Sequence, residues 1–284
     1  MKKLGIIGNG SMGGGIAQTA AQHGYEVVLV GRRQESLDKA IGKMSASMQK
    51  RIDKGKMTEE EKETVLSAIR CTLDVADVKD CDIVIEAIAE IIEQKIETFV
   101  RLEEIVGPEC ILATNTSSLS LTEIASHMKD KTRLVGIHFF NPVPAMKLVE
   151  IVKTGFVREE IAEAAAAFAE SLGKTTITAK DTPGFVVNYL QYPFRLNAMR
   201  MLENGIASAK DIDTAAKLGL GHPMGPLELQ DMVGLDVTYN ATSSIYEKTK
   251  DPCMKPPKIL KDMVEAGQLG RKTGKGFYDY SGNN

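Results

Sequence analysis

Four histidines are present, His23, His127, His138 and His222. For three of them a structural role suffices. His23 ends a helical pattern just before Gly24, where a cation complements the helix dipole. His127 falls in a polar loop, and His222 precedes Pro223 in a connection where it can simply pack. His138 differs, because it closes the apolar run Leu134-Val135-Gly136-Ile137 and is followed by Phe139-Phe140-Asn141-Pro142. A histidine at a buried strand end is either a core residue with its hydrogen bonds satisfied or a group that moves a proton near neutral pH. Glu150 bears on that choice, since it interrupts a second apolar run, Leu148-Val149-Glu150-Ile151-Val152. A buried carboxylate is costly unless paired. If strands 133–138 and 147–152 form a hairpin-like pair, Glu150 reaches His138, orients the imidazole and stabilises its charged form. A histidine that cycles a proton beside a nicotinamide is what alcohol–ketone interconversion requires. Ser117 and Asn188 are further polar groups near the expected domain junction. Either can polarise a substrate oxygen, or serve as a turn or cap residue.

These groups must be held by a framework, and the N-terminal stretch supplies its signature. Leu4 to Ile7 is a short apolar run, Gly8, Gly10 and Gly13 follow in G-x-G-x-x-G spacing, and Ile16, Ala17, Ala20 and Ala21 recur at helical intervals. Strand, glycine turn and helix form the context of a dinucleotide site. Gly8 permits the tight turn, Gly10 lets a pyrophosphate approach, and Gly13 lets the helix pack on the strand. Ser11 and Met12 open the helix, whose N-terminal N–H groups face the phosphates. The second strand, Glu26 to Val30, ends in Gly31-Arg32-Arg33. NAD-binding units place a carboxylate there for the ribose hydroxyls. Here no acid repels a 2′-phosphate and two guanidiniums are available to receive one, so NADP(H) is the expected cofactor, with NAD(H) possible. The alternative is that both arginines only open a solvated helix.

From Gln34 to about Lys54 the pattern is helical, and Thr58 with Glu61 forms a capping box for the next helix. Residues 34–68 are therefore expected as a helical pair inserted in the sheet. Lys50, Arg51, Lys54 and Lys56 cluster on it, as a solvated face or as a landing site for a phosphorylated handle. Strands at 82–87 and 111–114 flank a helix at 91–106, and a helix at 158–171 precedes a strand near 175–178. Such alternation implies an α/β doubly wound sheet. Ligands of these sheets lie outside the strands' C-terminal ends, here Ala87 to Glu90 and Asn115 to Ser118. After Asp181-Thr182-Pro183-Gly184 the strand patterns nearly vanish. Residues 185–203, 209–218, 226–247 and 256–265 all look helical. The expected organisation is a Rossmann-like domain over 1–183 and an all-α domain over 184–284.

Composition sets the outer limits. The chain has 284 residues, is 43% hydrophobic and carries a formal net charge of −3, which argues against nucleic acid as the main partner. No apolar run reaches the roughly 20 residues of a membrane helix, and no signal-peptide pattern opens the sequence. Cys71, Cys81, Cys110 and Cys253 form no C-x-x-C, so free thiols in a reducing cytoplasm are expected and a metal site is not.

Taken together, the motifs resemble those of the short-chain L-3-hydroxyacyl-CoA dehydrogenases. The resemblance runs through Gly8–Gly15, Ala113-Thr114-Asn115-Thr116-Ser117-Ser118-Leu119, His138-Phe139-Phe140-Asn141-Pro142 and Met146-Lys147-Leu148-Val149-Glu150. It continues through Asp181 to Asn188 and Gly221-His222-Pro223-Met224-Gly225-Pro226, and ends at Gly270 to Tyr278. It implies interconversion of acetoacetyl-CoA and 3-hydroxybutyryl-CoA in fatty-acid or butyrate metabolism. His138 is then the acid/base, Glu150 its partner, and Ser117 and Asn188 hold the 3-oxygen and the nicotinamide. Ala87, Glu90, Lys95, Asn115, Asn141 and Lys272 line the cofactor site, while Ser47, Lys50 and Lys54 receive the CoA handle. The helical domain would form a homodimer. Much of that family has an acid where this chain has Gly31, which again points to NADP(H). Two rival readings are weaker. A 6-phosphogluconate-type dehydrogenase needs a lysine motif in the second domain that is absent here. A crystallin-like, non-catalytic NAD(P)H-binding relative is opposed by the intact Ser117, His138, Glu150 and Asn188.

Overall fold

The computed structural model describes residues 2–282 and divides them into two compact units, the first ending at Thr182 and the second beginning at Pro183. The first unit contains β1 (Lys3–Ile7), α1 (Ser11–Gln22), β2 (Glu26–Val30), α2 (Gln34–Ile52), α3 (Glu59–Ser67) and β3 (Ile69–Thr72). It continues with β4 (Ile83–Glu86), α4 (Ile92–Ile105), β5 (Ile111–Thr114), α5 (Leu121–Ser126), β6 (Leu134–Phe139), β7 (Leu148–Lys153), α6 (Glu159–Ser171) and β8 (Thr175–Lys180). The eight strands form one sheet in the order β3-β2-β1-β4-β5-β6-β7-β8. Strands β1 to β6 run parallel, and the β6–β7 pair is antiparallel.

The strands are apolar on both faces because helices cover both. Val27 and Leu29 of β2, with Ile83 and Ile85 of β4, join the core beneath α1, α2 and α6. The intervening Val28, Val30 and Val84 join Phe99 and Leu102 of α4 and Ile124 of α5 on the opposite face. Alternation of side chains along each strand produces these two layers. Helix α2 buries Leu37, Ala40, Met44 and Met48, one side of a 3.6-residue repeat. The capping box at Thr58 is present: its hydroxyl accepts from Glu61 N at 3.1 Å, and Glu61 accepts from Thr58 N at 2.8 Å.

Strand β3 has only four residues and shows no long apolar run, so the periodicity that marks the other strands does not mark it.

The second unit is helical: α7 (Val187–Glu203), α8 (Ala209–Gly219), α9 (Pro226–Val233), α10 (Leu235–Thr249) and α11 (Lys258–Glu265). Leu196, Met199, Ile212, Leu227, Leu235 and Leu260 form its main core. One helix expected over 226–247 is two, because Gly234 breaks it with φ at 106°. That backbone conformation is open to glycine and strained for other residues. His222 packs its ring on Phe194 at 4.9 Å, as a structural role requires. The cysteines form no disulfide, and burial pushes the Cys81 thiol up to about 11.

Candidate active site

The C-terminal ends of β1, β4, β5 and β6 point to one edge of the parallel sheet. The turn after β1 begins with Gly8 at φ 111°. A Cβ on Gly13 would stand 1.9 Å from the Gly8 carbonyl oxygen, so the first turn of α1 lies directly on the loop. A Cβ on Gly10 would meet no atom within 4 Å. Packing therefore demands glycine at 13, whereas at 10 the chain itself leaves the space open. Helix α1 has no side-chain cap and no acid in its first turn. Its leading N–H groups have no intrahelical acceptor, an arrangement that suits an anion. Gly8, Gly10, Ser11 and Met12 line a cavity of about 980 Å³ together with Gly31, Arg32 and Ala87. Its far wall is a face of α4 carrying Gln94, Glu97, Thr98 and Arg101, none of which the glycine motif announces. These donors and this open floor fit a dinucleotide. Arg33 is exposed at the N-cap of α2 and does not line the cavity.

His138 and Glu150 are register partners across the β6–β7 pair. His138 Nδ1 lies 2.6 Å from Glu150 Oε2, with His138 5% exposed and Glu150 fully buried. The connection between their strands is the chain's Asn141–Pro142 cis peptide and the residues that follow it. Directly opposite residues of an antiparallel ladder point to the same side, which is why two isolated polar residues in apolar strands meet. The Phe140 ring packs against the imidazole at 4.5 Å.

A second buried network fixes the loops after β4 and β5. Glu86 interrupts the apolar strand Ile83-Val84-Ile85 as Glu150 interrupts its own, and the same signal identifies it. Its Oε1 accepts from Lys95 Nζ at 2.7 Å and from Ile88 N at 2.7 Å, and its Oε2 accepts from Thr114 Oγ1 at 2.8 Å. Lys95 also lies 3.3 Å from Glu90 Oε2. Lys95, expected to line the cofactor site, is 1% exposed and neutralises two carboxylates. Glu90 Oε1 accepts from Thr116 Oγ1 at 2.5 Å and from Ser117 N at 3.0 Å. Burial works against the Glu90 carboxylate, but Lys95, Thr116 and Ser117 outweigh it and hold its pKa below the ordinary value. Ser117 is thereby seated on the β5 exit. Asn115 ties the same exit to β6, accepting from Phe139 N at 2.9 Å.

The remaining expected residues are distributed as follows. Asn141 Oδ1 accepts from Ser11 Oγ at 3.4 Å, linking the β6 exit to the start of α1. Ser47 and Lys50 stand on the exposed face of α2, and Lys54 follows its end, also exposed. Neither lysine joins an ion pair among the described residues. In the second unit Asn188 opens α7, 9% exposed, and its Oδ1 accepts from Gln191 Nε2 at 2.8 Å. Lys272 pairs with Asp236 at 2.5 and 2.7 Å at the head of α10. Among the described residues no cluster of histidine, cysteine and carboxylate could hold a metal, and no helix is long and apolar enough to cross a membrane.

Comparison with known proteins agrees with this geometry. Residues 3–182 match the 3-hydroxyacyl-CoA dehydrogenase NAD-binding domain, and residues 184–280 match the C-terminal domain of the same proteins. A probable 3-hydroxybutyryl-CoA dehydrogenase of Deinococcus radiodurans is 44% identical over 98% of this chain and 100% of its own length. The crystal structure of FadB2 of M. tuberculosis superposes with a TM-score of 0.95 at 41% identity, covering 99% of each chain. That of (S)-3-hydroxybutyryl-CoA dehydrogenase PaaH1 of Ralstonia eutropha gives 0.96 at 40% identity, again over 99% of each. A nucleotide-type glycine turn at one sheet edge, a buried histidine–carboxylate pair at the same edge and full-length similarity in both units lead to one conclusion: the chain belongs to the 3-hydroxyacyl-CoA dehydrogenase family, whose members are NAD-dependent oxidoreductases.

Proposed function

We propose that this protein is a 3-hydroxybutyryl-CoA dehydrogenase that interconverts acetoacetyl-CoA and (S)-3-hydroxybutyryl-CoA. The observation that carries the reading is the buried His138–Glu150 pair at the ligand-binding edge of the sheet. A bound nicotinamide dinucleotide supplies or accepts the hydride. The chain's own residues handle the proton and the oxygen. With Nδ1 bonded to Glu150, Nε2 of His138 is the nitrogen that exchanges a proton with the 3-oxygen. In reduction it protonates the developing alkoxide, and in oxidation it takes the hydroxyl proton. Glu150 holds the ring in one tautomer and offsets the charge of the imidazolium. Ser117 and Asn188 donate to the 3-oxygen, where negative charge grows. The cofactor rests on Gly8 to Gly13, with Ala87, Glu90, Asn115, Asn141 and Lys272 around it and Lys95 holding Glu90 in place.

NADP(H) is the preferred cofactor in this reading. Gly31 and Arg32 line the dinucleotide cavity, with glycine where a ribose-binding carboxylate would stand and a guanidinium next to it. Arg33 adds long-range charge from its exposed position. The CoA handle is received by Ser47, Lys50 and Lys54. The protein works in the cytoplasm as a homodimer of its helical units, a reading supported by exposed Leu190, Ile206, Leu218 and Leu220, between 64% and 84% accessible.

The test is acetoacetyl-CoA reduction assayed with NADH and NADPH side by side. Turnover with both and a higher kcat/KM for NADPH is the expected result. Tight cofactor binding without oxidation of either would instead favour the non-catalytic, crystallin-like relative. His138→Ala should abolish turnover with cofactor binding nearly intact.

A further inference from the structure

Lys174 stands just before β8, 9% exposed, and the chemistry read above does not use it. Its backbone is fixed from both sides. Lys174 N donates to Ala169 O at 3.3 Å across the end of α6, where Gly173 takes φ 69°. Thr175 N donates to Lys147 O at 2.7 Å as β8 joins β7. Its side chain reaches the connection between β6 and β7, where Nζ donates to Val143 O at 2.7 Å and to Met146 O at 2.8 Å. No carboxylate pairs with it among the described residues, and burial lowers its pKa from the ordinary lysine value. The connection is a compact turn in which Ala145 N and Met146 N both donate to Pro142 O at 3.0 Å. It also touches α1: Asn141 Oδ1 accepts from Ser11 Oγ at 3.4 Å, and a Cβ on Gly15 would stand 3.0 Å from Val143 Cβ.

A buried ammonium without a counter-ion is costly, so the bonds it makes must return that cost. Val143 is 1% exposed, and its carbonyl cannot turn to water. A buried carbonyl without a donor costs about as much as a lost hydrogen bond. One cation thus ties two carbonyls of the turn to β8, whose own place is set by its ladder with β7. The turn joins the two strands that carry His138 and Glu150, and its Val143 packs on the helix that follows the glycine turn. We propose that Lys174 is a positioning residue, which pins the β6–β7 connection and so fixes the spacing between the His138–Glu150 pair and the start of α1. The proposal rests on the reading of that pair as the proton-handling group and of the glycine turn as the dinucleotide seat. All of these residues lie in the first unit. Hydride and proton transfer both depend on that spacing, and a misplacement of about 1 Å can cost about 100-fold in rate.

Substitutions at this one position separate positioning from packing. Lys174→Met keeps the aliphatic stem and removes both donors. With acetoacetyl-CoA as substrate and kcat expressed per bound NADH, so that any unfolded fraction drops out, it should lower kcat by about 10-fold, the effect of a shift well under about 1 Å. The NADH dissociation constant and the KM for acetoacetyl-CoA should stay within threefold, because the glycine turn and α2 keep their own packing. Lys174→Arg offers N–H groups to the same two carbonyls and should return kcat to within threefold of wild type. Lys174→Gln, too short to reach both, should resemble Lys174→Met and takes its place if that variant does not fold. A role confined to stability would lower the melting temperature and leave kcat per bound NADH within twofold of wild type, and that result would overturn the proposal. So would a loss of NADH affinity as large as the loss of kcat, or no recovery in Lys174→Arg. His138→Ala is measured alongside. If it retains full kcat, the reading of the pair itself fails, a result distinct from failure of Lys174 as its positioning residue.

Discussion

Glu150→Gln is the most direct probe of the proton-handling pair. The substitution is isosteric, and the amide oxygen can still accept from His138 Nδ1, so the ring keeps its orientation. What disappears is the negative charge 2.6 Å from the imidazole in a site that is almost dry. Both charges are spread over their groups, so their centres lie about 4 Å apart. At the effective dielectric that suits protein sites, such a pair interacts by about 4 kcal/mol. That stabilisation is realised only when the ring is protonated, and so acts on the catalytic step. At 1.36 kcal/mol per tenfold it corresponds to a loss of about 10³ in kcat. Binding of acetoacetyl-CoA and of NADH does not use the charge and should change less than threefold. The assay is NAD reduction by (S)-3-hydroxybutyryl-CoA under saturating conditions, the direction in which the ring gains its proton, with NADH fluorescence titration for the cofactor. A kcat within tenfold of wild type would refute the argument, because the carboxylate would then be acting through orientation alone. Glu150→Ala, which removes orientation as well, should fall further.

The glycine turn gives a paired prediction. Gly13→Ala places a methyl against the Gly8 oxygen and should lower both the apo melting temperature and NADH affinity. Gly10→Ala meets no protein atom and should leave the melting temperature unchanged while weakening NADH binding more than tenfold; unaltered affinity would remove the pyrophosphate from that spot. Arg32→Ala should lower kcat/KM for NADPH by about tenfold, one charge-assisted contact at a partly exposed site, and that for NADH less than twofold, as read from parallel steady-state assays. Acid should loosen the β5 exit. The Glu90 pKa is depressed in the folded state, so its contribution is complete above the ordinary carboxylate value and is lost as pH falls through the lower, folded one. Hydrogen-exchange protection factors of the peptide containing Thr116 to Ser118 should stay flat from neutrality to about pH 5 and fall below it, whereas Glu90→Gln should show low protection throughout.

Much of this was legible in the sequence because it is local. The capping box at Thr58 and Glu61 lies within one helical turn. Gly8, Gly10 and Gly13 mark a turn by their spacing. Continuous apolar runs mark β2 and β4. Even the His138–Glu150 contact could be anticipated, since each is a polar interruption of an apolar strand and a short connection between such strands favours antiparallel pairing. The tertiary structure decided what depends on neighbours distant in sequence. Four residues of β3 become a strand only because β2 offers them a ladder. Gly234 splits a helical pattern that hydrophobic periodicity joins. Lys95 is expected from the resemblance to line the cofactor site, yet Glu86 from the adjoining strand draws it into the interior. Hydrophobic spacing specifies which face of an element turns inward; it carries no information about which donor meets which acceptor there, because that pairing is set by packing after the elements have formed.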